Sequence, residues 1–135
     1  MSAGPVVGIV LVSHSARVAE SVAELARGLA AGGAVAPVAA AGGDADGGLG
    51  TSAERILAAA AAVDRGAGVA LLADLGSSVL TVKALLADGD LPAGSRLLDA
   101  PFLEGAVAAL VAASAGAPLD AVSAAATEAY EYRKS

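Results

Sequence analysis

The chain has 135 residues and a net charge of −6, and 56% of its residues are apolar although only 2% are aromatic. This length fits one domain, with a core of small and branched aliphatic side chains. The negative charge argues against binding to nucleic acid or to an anionic membrane surface, and it favours a basic partner protein. With no cysteine and one histidine, the sequence offers no thiolate or multi-histidine site, so we expect no metal and no cofactor.

Two features bear on location. The N-terminal Met-Ser-Ala-Gly-Pro has no basic segment of the kind that opens a signal peptide. No apolar run reaches the roughly 18 residues that would suggest a membrane-spanning helix. We therefore expect a soluble, cytoplasmic protein.

The chain begins with a strand and a helix. Residues 6–12 are rich in β-branched side chains, which is typical of a strand buried on both faces of a parallel sheet. Large apolar residues then recur at helical spacing, and the pattern predicts a helix that turns them inward. These residues are Val18, Val22, Leu25 and Leu29. The glycine pair at 32–33 should end the helix.

A weaker strand is predicted at 34–40, where Pro37 favours an edge position in the sheet. It leads into a glycine-rich loop over 41–52. Residues Thr51 to Glu54 form a capping box, so a second helix should begin near residue 52 and run to about residue 64.

The pattern of strand and helix repeats in the second half. Residues 69–74 predict a third strand, residues 79–87 a third helix and residues 96–100 a short fourth strand. The third helix should bury one apolar face, made of Val79, Val82, Leu85 and Leu86. Pro101 suits the start of a helix that runs to about 116, and a last helix from about 118 to 132 ends in basic residues that would complement its dipole.

This alternation predicts an α/β fold in which residues 1–135 form a single domain. We expect a three-layer sandwich with a mainly parallel central sheet and helices on both faces.

Three polar features fall where ligands bind in such sheets, beyond the carboxyl ends of the strands. His14 follows the first strand, Asp74 closes the third, and the 41–51 loop follows the second. A neutral imidazole is a competent nucleophile, and a carboxylate on its other nitrogen would fix its tautomer and stabilise positive charge. Backbone N–H groups at 15–17 and 76–78 would favour a bound anion. Together these residues could carry a phosphoryl group on histidine.

Simpler interpretations stay open from the residues alone. His14 and Asp74 could be surface or capping residues, and Ser13 and Ser15 could only cap the first helix. Residues 43–47 have the aspartates of a calcium loop but lack its other oxygen ligands. No P-loop or nucleophile-elbow motif is present.

Several motifs resemble one known family. The segments "VSHSARVAESVAELA" at 12–26, "GTSA" at 50–53, "LADLGSS" at 72–78 and "DAPFLEGAVAALVAASAGAPLDAV" at 99–122 are similar to the phosphotransfer subunits of phosphoenolpyruvate-dependent dihydroxyacetone kinases. Those subunits carry a domain similar to the mannose-family EIIA domain of the sugar phosphotransferase system. The resemblance implies an α/β sandwich whose sheet has one antiparallel edge strand, and a homodimer.

The resemblance also implies roles for single residues. His14 would be the phosphorylated histidine, receiving phosphate from phospho-HPr, and Asp74 would be the carboxylate that pairs with its ring. The phosphate would be lined by residues of three segments, namely Ser15, Gly50, Thr51, Gly76, Ser77 and Ser78. Phosphate would then pass to ADP held by the nucleotide-binding kinase subunit. Longer family members carry fused HPr-like and enzyme-I-like domains, which are not found in these 135 residues, so we expect separate donor proteins.

Three other functions remain as alternatives. A mannose-type EIIA domain that feeds a sugar permease would share the fold and chemistry but use another acceptor, although "SHSAR" and "DLGSS" favour the kinase branch. A regulator would use phosphorylation of His14 only to switch its binding to another protein. A small-ligand binding module would keep its ligand after loss of His14.

Overall fold

The computed structural model describes residues 5–135, so the prediction about the N-terminal segment falls, for residues 1–4, outside the described residues. Four strands are present: β1 (Gly8–Ser13), β2 (Val38–Gly42), β3 (Val69–Ala73) and β4 (Ser95–Leu97). Five helices surround them: α1 (Ala16–Ala30), α2 (Ala53–Val63), α3 (Gly76–Ala87), α4 (Phe102–Ser114) and α5 (Leu119–Glu128). A short 3₁₀ turn (Ala129–Glu131) follows α5.

The four strands form one sheet in the order β2-β1-β3-β4, and every pair is parallel. Strand β2 lies at an edge, as Pro37 predicts. The antiparallel edge strand implied by the family resemblance is absent from residues 5–135. The chain beyond β4 forms α4 and α5 instead, which pack against each other over the sheet and leave no extended segment beside β4.

The core confirms the three-layer α/β sandwich. Side chains of β1 alternate between two apolar clusters, with Ile9 and Leu11 in one and Val10 and Val12 in the other. The first cluster is covered by α1, α4 and α5, and the second by α2 and α3. The helices therefore lie on both faces of the sheet. The site described below lies at the carboxyl ends of the strands, which the helices do not cover.

The buried face of α1 differs from the prediction. The buried residues are Ala19, Ala23 and Ala26, whereas Leu29 keeps 60% of its surface exposed and Leu25 46%. Alanine side chains let the helix lie close to strand β2 and helix α4, the two elements against which α1 mainly packs. Composition at helical spacing could not distinguish the two apolar stripes of this helix.

Several element ends also differ. Strand β2 spans Val38–Gly42 where 34–40 was predicted, so Pro37 lies just before the strand. Helix α3 begins at Gly76 and not at residue 79, while β4 ends at Leu97 and not at residue 100. Helix α5 ends at Glu128, so the basic residues lie beyond its last turn, where Lys134 Nζ pairs with Glu104 Oε2 at 2.7 Å. Within the part of the chain that the structure describes, no helix combines the length and the apolar character needed to cross a bilayer.

Candidate functional site

The strand order places two polar residues side by side. His14 comes directly after β1 and Asp74 directly after β3, and these neighbouring strands pair Val12 with Ala73 at their carboxyl ends. The chain leaves β1 towards β2 on one side, while β3 lies on the other. This is a topological switch point, the position at which open α/β sheets bind their ligands.

His14 and Asp74 are joined by two hydrogen bonds. The His14 ring nitrogen Nδ1 lies 3.0 Å from Asp74 Oδ1, and the His14 backbone N–H donates to Asp74 Oδ2 over 3.1 Å. The pair is half-buried, with 25% of the histidine side chain and 16% of the aspartate side chain exposed. The aspartate therefore holds both the ring and the main chain that carries it.

Asp74 accepts three further hydrogen bonds. Ser13 Oγ donates to Oδ2 over 2.9 Å, while the Leu75 N–H and Ser78 Oγ both donate to Oδ1 over 2.7 Å. Partial burial by itself raises the pKa of Asp74. The hydrogen bonds from Ser78, His14 and Ser13 outweigh that effect and hold the pKa of Asp74 well below its ordinary value. Asp74 is thus ionised at neutral pH.

The ionised carboxylate fixes the histidine tautomer. A carboxylate only accepts hydrogen bonds, so we assign the ring proton of His14 to Nδ1. In the neutral ring the lone pair is then on Nε2, which points away from Asp74 and contacts the hydroxyl of exposed Ser77. The reactive nitrogen faces the molecular surface, and the acid lies behind it.

The glycine loop touches the same histidine from the other side. The Gly50 N–H donates to the His14 carbonyl over 2.9 Å, and the Gly43 N–H donates to the Ser13 carbonyl over 3.1 Å. Asp44 Oδ1 holds the loop in shape by accepting from the Asp46 and Gly48 N–H groups. This loop is therefore held to β1 by main-chain bonds.

Thr51 carries an unusual feature of the loop. Its Oγ1 is buried and has no hydrogen-bond partner among the described residues. Buried hydroxyls are normally paired. Among the described residues, Thr51 is therefore an exception, and it lies in the segment where the prediction placed a phosphate contact.

The structure separates the predicted phosphate contacts into two groups. Gly50, Thr51, Gly76 and Ser77 lie on the segments that flank the ring. Ser78 is fully buried with its hydroxyl on Asp74, so it lies behind the carboxylate and not on a phosphate-facing surface. Ser15 Oγ accepts from the Val18 N–H and its own N–H donates to Ser13 Oγ, so Ser15 is a helix cap. Ser78 is therefore engaged with Asp74 in place of the predicted phosphate, whereas a phosphate contact of Ser15 stays a prediction, because its hydroxyl hydrogen is not used by the cap.

Sequence reasoning missed the part that Ser13 plays. Ser13 and Ser78 are the two buried polar residues among residues 5–135, and both donate to Asp74. The signal available was the serine at the end of an otherwise apolar strand, since a buried hydroxyl there requires a partner. In the same range no group of three histidine, cysteine or acidic residues could hold a metal ion.

The fold and the site define a class of protein: a parallel α/β sandwich with an acid-supported histidine at its switch point. The family model described as "PTS system fructose IIA component", of the EIIA-man type, matches residues 8–123. The chain belongs to this family.

Curated relatives confirm the resemblance to phosphotransfer subunits. The chain is 38% identical over 120 residues to "PEP-dependent dihydroxyacetone kinase, phosphoryl donor subunit DhaM" of Escherichia coli, and 37% identical over 119 residues to the DhaM subunit of Klebsiella michiganensis. Each match covers 86% of this chain but 25% of the relative, so the chain spans about a quarter of their length. A shorter relative from Listeria innocua, "PEP-dependent dihydroxyacetone kinase 2, phosphoryl donor subunit DhaM", is 33% identical; the match covers 78% of this chain and 84% of the relative.

A solved structure confirms the fold. The chain is similar to the "Crystal structure of unknown function protein EF1359", with a TM-score of 0.76 and 30% sequence identity. The similarity covers 90% of this chain and 93% of the other.

Proposed function

We propose that this protein is a phosphohistidine carrier that works for a dihydroxyacetone kinase. His14 accepts a phosphoryl group from phospho-HPr and passes it to ADP bound on the nucleotide-binding kinase subunit. The observation that carries the proposal is the His14 ring itself: Nδ1 lies 3.0 Å from Asp74, so Nε2, which contacts only the hydroxyl of exposed Ser77 among the hydrogen-bond partners described, is the nitrogen on the surface side. The relatives named phosphoryl donor subunits support the same assignment.

The accepting step needs no proton transfer. The lone pair of His14 Nε2 attacks the phosphorus in line with the nitrogen of the donor phosphohistidine. The new Nε2–P bond forms as the donor's N–P bond breaks, and that bond's electrons return to the donor ring. The His14 ring becomes positively charged, and ionised Asp74 stabilises this charge through Nδ1–H.

The onward step runs by the same chemistry. An oxygen of the ADP β-phosphate attacks the phosphorus, the Nε2–P bond breaks, and its electrons return to the neutral imidazole of His14. Because an N–P bond to imidazole is a high-energy bond, the free energy of transfer to ADP is not strongly unfavourable. The protein contributes position and charge stabilisation. The ATP formed would then serve the kinase reaction on dihydroxyacetone.

The groups around Nε2 supply the phosphate contacts in this proposal. The Ser77 hydroxyl now contacts Nε2, and it would move aside and donate to a phosphoryl oxygen. The N–H groups at Gly76 and Ser77 begin helix α3, where the helix dipole favours an anion. Thr51, next to Gly50, carries a buried hydroxyl with no partner among the described residues, and a shift of the loop would bring it to a phosphoryl oxygen.

The test is phosphorylation in a reconstituted system. The chain, enzyme I and HPr are incubated with phosphoenolpyruvate, and acid-labile phosphate is located by mass spectrometry. We expect one phosphoryl group on His14, and none on the His14→Gln variant, which keeps a polar side chain of similar size. Phosphate on that variant would disprove the assignment.

The acceptor is tested by a chase. The family description names a fructose IIA component, which makes a sugar permease component the second candidate acceptor. Purified phosphorylated protein is mixed with the kinase subunit and ADP, or with permease components and sugar. We expect loss of the label only with the kinase subunit. Retention of the label with every acceptor would indicate a regulator.

We also propose that the domain forms a homodimer, as its family resemblance implies. Sedimentation equilibrium should give twice the mass of the chain at micromolar concentration. A monomer at that concentration would contradict this part of the proposal.

A further inference from the structure

A cavity lies beside the candidate site, on the side of Asp74 that faces β4. It has a volume of about 430 Å³ and lies at the carboxyl ends of β3 and β4, between α3 and the 3₁₀ turn. Asp74 borders this cavity, whereas His14 does not line it. Open α/β sheets bind ligands beyond the carboxyl ends of their strands, and the volume is within the usual range of small-molecule sites. We call it the β4 cavity.

The β4 cavity combines an apolar floor with polar groups at its mouth. Val79 and the buried Leu98 contribute apolar surface. At the mouth, Tyr130 Oη donates to Asp99 Oδ1 over 2.9 Å, while Asp99 Oδ2 has no donor in the described part of the chain. Lys83 is exposed at the same cavity and has no carboxylate within ion-pair distance among those residues. One ligand could therefore meet an acceptor, a donor and an apolar surface together.

The charges around the β4 cavity favour a neutral ligand. Two carboxylates, Asp74 and Asp99, border it together with one ammonium group, that of Lys83, so negative charge is in excess. This excess repels a phosphate or carboxylate ligand. A hydroxyl group suits the same surroundings because it both donates and accepts hydrogen bonds. The cavity therefore selects for hydroxyl groups on a molecule without charge.

We propose that the β4 cavity binds a small neutral polyhydroxy compound, of the chemical class of sugars and polyols. One hydroxyl of the ligand donates to Asp99 Oδ2, and a second oxygen accepts from Lys83 Nζ. The C–H face of the ligand packs against Val79. The inference stands apart from the proposed function, because neither this site nor its test involves phosphoryl transfer.

Titration of the ¹⁵N-labelled chain followed by NMR tests this proposal. The neutral probes are dihydroxyacetone, ribose and fructose, and fructose 1-phosphate is the charged counterpart. Shifts of the backbone amide signals of Lys83, Asp99 and Ala100 report binding in the β4 cavity. We expect a Kd of about 1 mM for fructose and ribose, and roughly tenfold weaker binding of dihydroxyacetone, which makes fewer contacts. Fructose 1-phosphate should bind at least about tenfold more weakly than fructose.

Two variants and a matched control assign the binding to named side chains. Asp99→Asn leaves an oxygen that can accept from Tyr130 but replaces the free acceptor by an N–H₂ group, and Lys83→Met removes the ammonium donor. We expect each to weaken fructose binding about tenfold. The control is Asp120→Asn, which removes a carboxylate that accepts from Arg96 Nη2 over 2.8 Å and does not line the cavity. Its Kd for fructose should equal that of the wild type.

Three outcomes would overturn the proposal. They are the absence of amide shifts at the β4 cavity with every neutral probe, tighter binding of fructose 1-phosphate than of fructose, and an unchanged Kd in both cavity variants. The dispersion of the amide spectra shows whether each variant is folded. Because Asp99 and Lys83 are exposed and lie on different elements, either variant can decide the comparison if the other fails to fold.

Discussion

The two segments that flank His14 are built in different ways. On the β3 side, Asp74 accepts five hydrogen bonds, two of them from fully buried serines. On the β2 side, the glycine loop is held to the strand ends by backbone bonds and to itself by one half-buried aspartate, Asp44. The first side fixes the charge and the tautomer of the ring. The second side fixes only the position of the main chain.

The difference indicates which side of His14 has to be positioned more exactly. Charge stabilisation depends on the distance and protonation of one carboxylate, so a buried network of hydroxyls surrounds it. On the proposed function, the glycine loop admits a phosphoryl group and a partner protein, so small and exposed residues suit it. Changes on the Asp74 side should therefore cost more than changes in the loop.

The largest effect is expected for Asp74→Asn. An amide presents one N–H₂ group where the carboxylate presents an oxygen, so that group faces the backbone N–H of either His14 or Leu75. The ring loses its fixed tautomer and its countercharge. We expect phosphorylation of His14 to slow on the order of 10³- to 10⁴-fold, as measured by label transfer from phospho-HPr. A loss of less than tenfold would remove Asp74 from the mechanism.

The next effect concerns the junction between the two sides. A Cβ at Gly42 would lie 2.4 Å from the Ser15 carbonyl oxygen and 2.7 Å from Ala16 Cα, so Gly42→Ala must force β2 away from the start of α1. We expect a loss of about 3 kcal/mol in the free energy of unfolding, measured with urea. The matched control is Gly47→Ala in the loop. Its Cβ would meet nothing within 4 Å, and its φ of 88° costs about 1 kcal/mol. Equal losses would contradict this packing.

Ser78→Ala tests the buried network through its pH dependence. The low folded-state pKa of Asp74 stabilises the fold above about pH 4, and this contribution is lost as the pH falls towards that pKa. Removing the Ser78 donor raises the folded-state pKa of Asp74, so the difference between its folded-state and unfolded-state pKa values becomes smaller. We expect a stability loss of about 2 kcal/mol at pH 7 that shrinks at an acidic pH below the raised folded-state pKa of the variant.

The control for this measurement is Ser95→Ala. Ser95 Oγ donates to the Pro92 carbonyl, which does not titrate, so its stability loss should be the same at both pH values. A pH-independent loss for Ser78→Ala would show that its hydroxyl does not act through Asp74.

The smallest effect is expected in the loop. Asp44→Ala frees the N–H groups of Asp46 and Gly48, but these are exposed and water can bind them. We expect a stability loss of about 1 kcal/mol and a roughly threefold slower transfer from phospho-HPr. Asp46→Ala, which removes the neighbouring carboxylate, is the control and should have no measurable effect. A larger loss than that of Ser78→Ala would reverse the comparison between the two sides.

Much of the fold could be predicted because the apolar pattern directly reports burial. The β-branched run of β1, the edge position of β2 and the Ser15 cap before α1 follow from local chemistry. The predicted capping box from Thr51 to Glu54 is wrong, because Ser52 caps α2 and its side chain accepts from the Arg55 N–H. The pattern failed for α1, where alanines and leucines form two apolar stripes and only close packing against β2 and α4 decides which one is buried. It also failed at α3, whose start depends on the contact of Ser78 with Asp74 and Leu75.

The two main residues of the candidate site could be predicted from the sequence, but the residues that hydrogen-bond to Asp74 could not. His14 and Asp74 stand out as polar residues at strand ends. The assignment of Ser78 to Asp74, and not to the phosphate, depends on which side of the first turn of α3 faces the sheet. In the sequence Leu49, Leu75 and Leu80 resemble core residues, yet the structure leaves all three exposed.

Local composition and periodicity were enough to predict the class of fold, the strand ends that carry polar groups and the histidine that is proposed to react. The tertiary structure alone decided which side chains reach Asp74, which nitrogen of His14 faces the surface and which leucines remain in water. Those properties depend on distances of a few ångströms between residues about 60 positions apart, and such distances are set only when the sheet and both helical layers pack together.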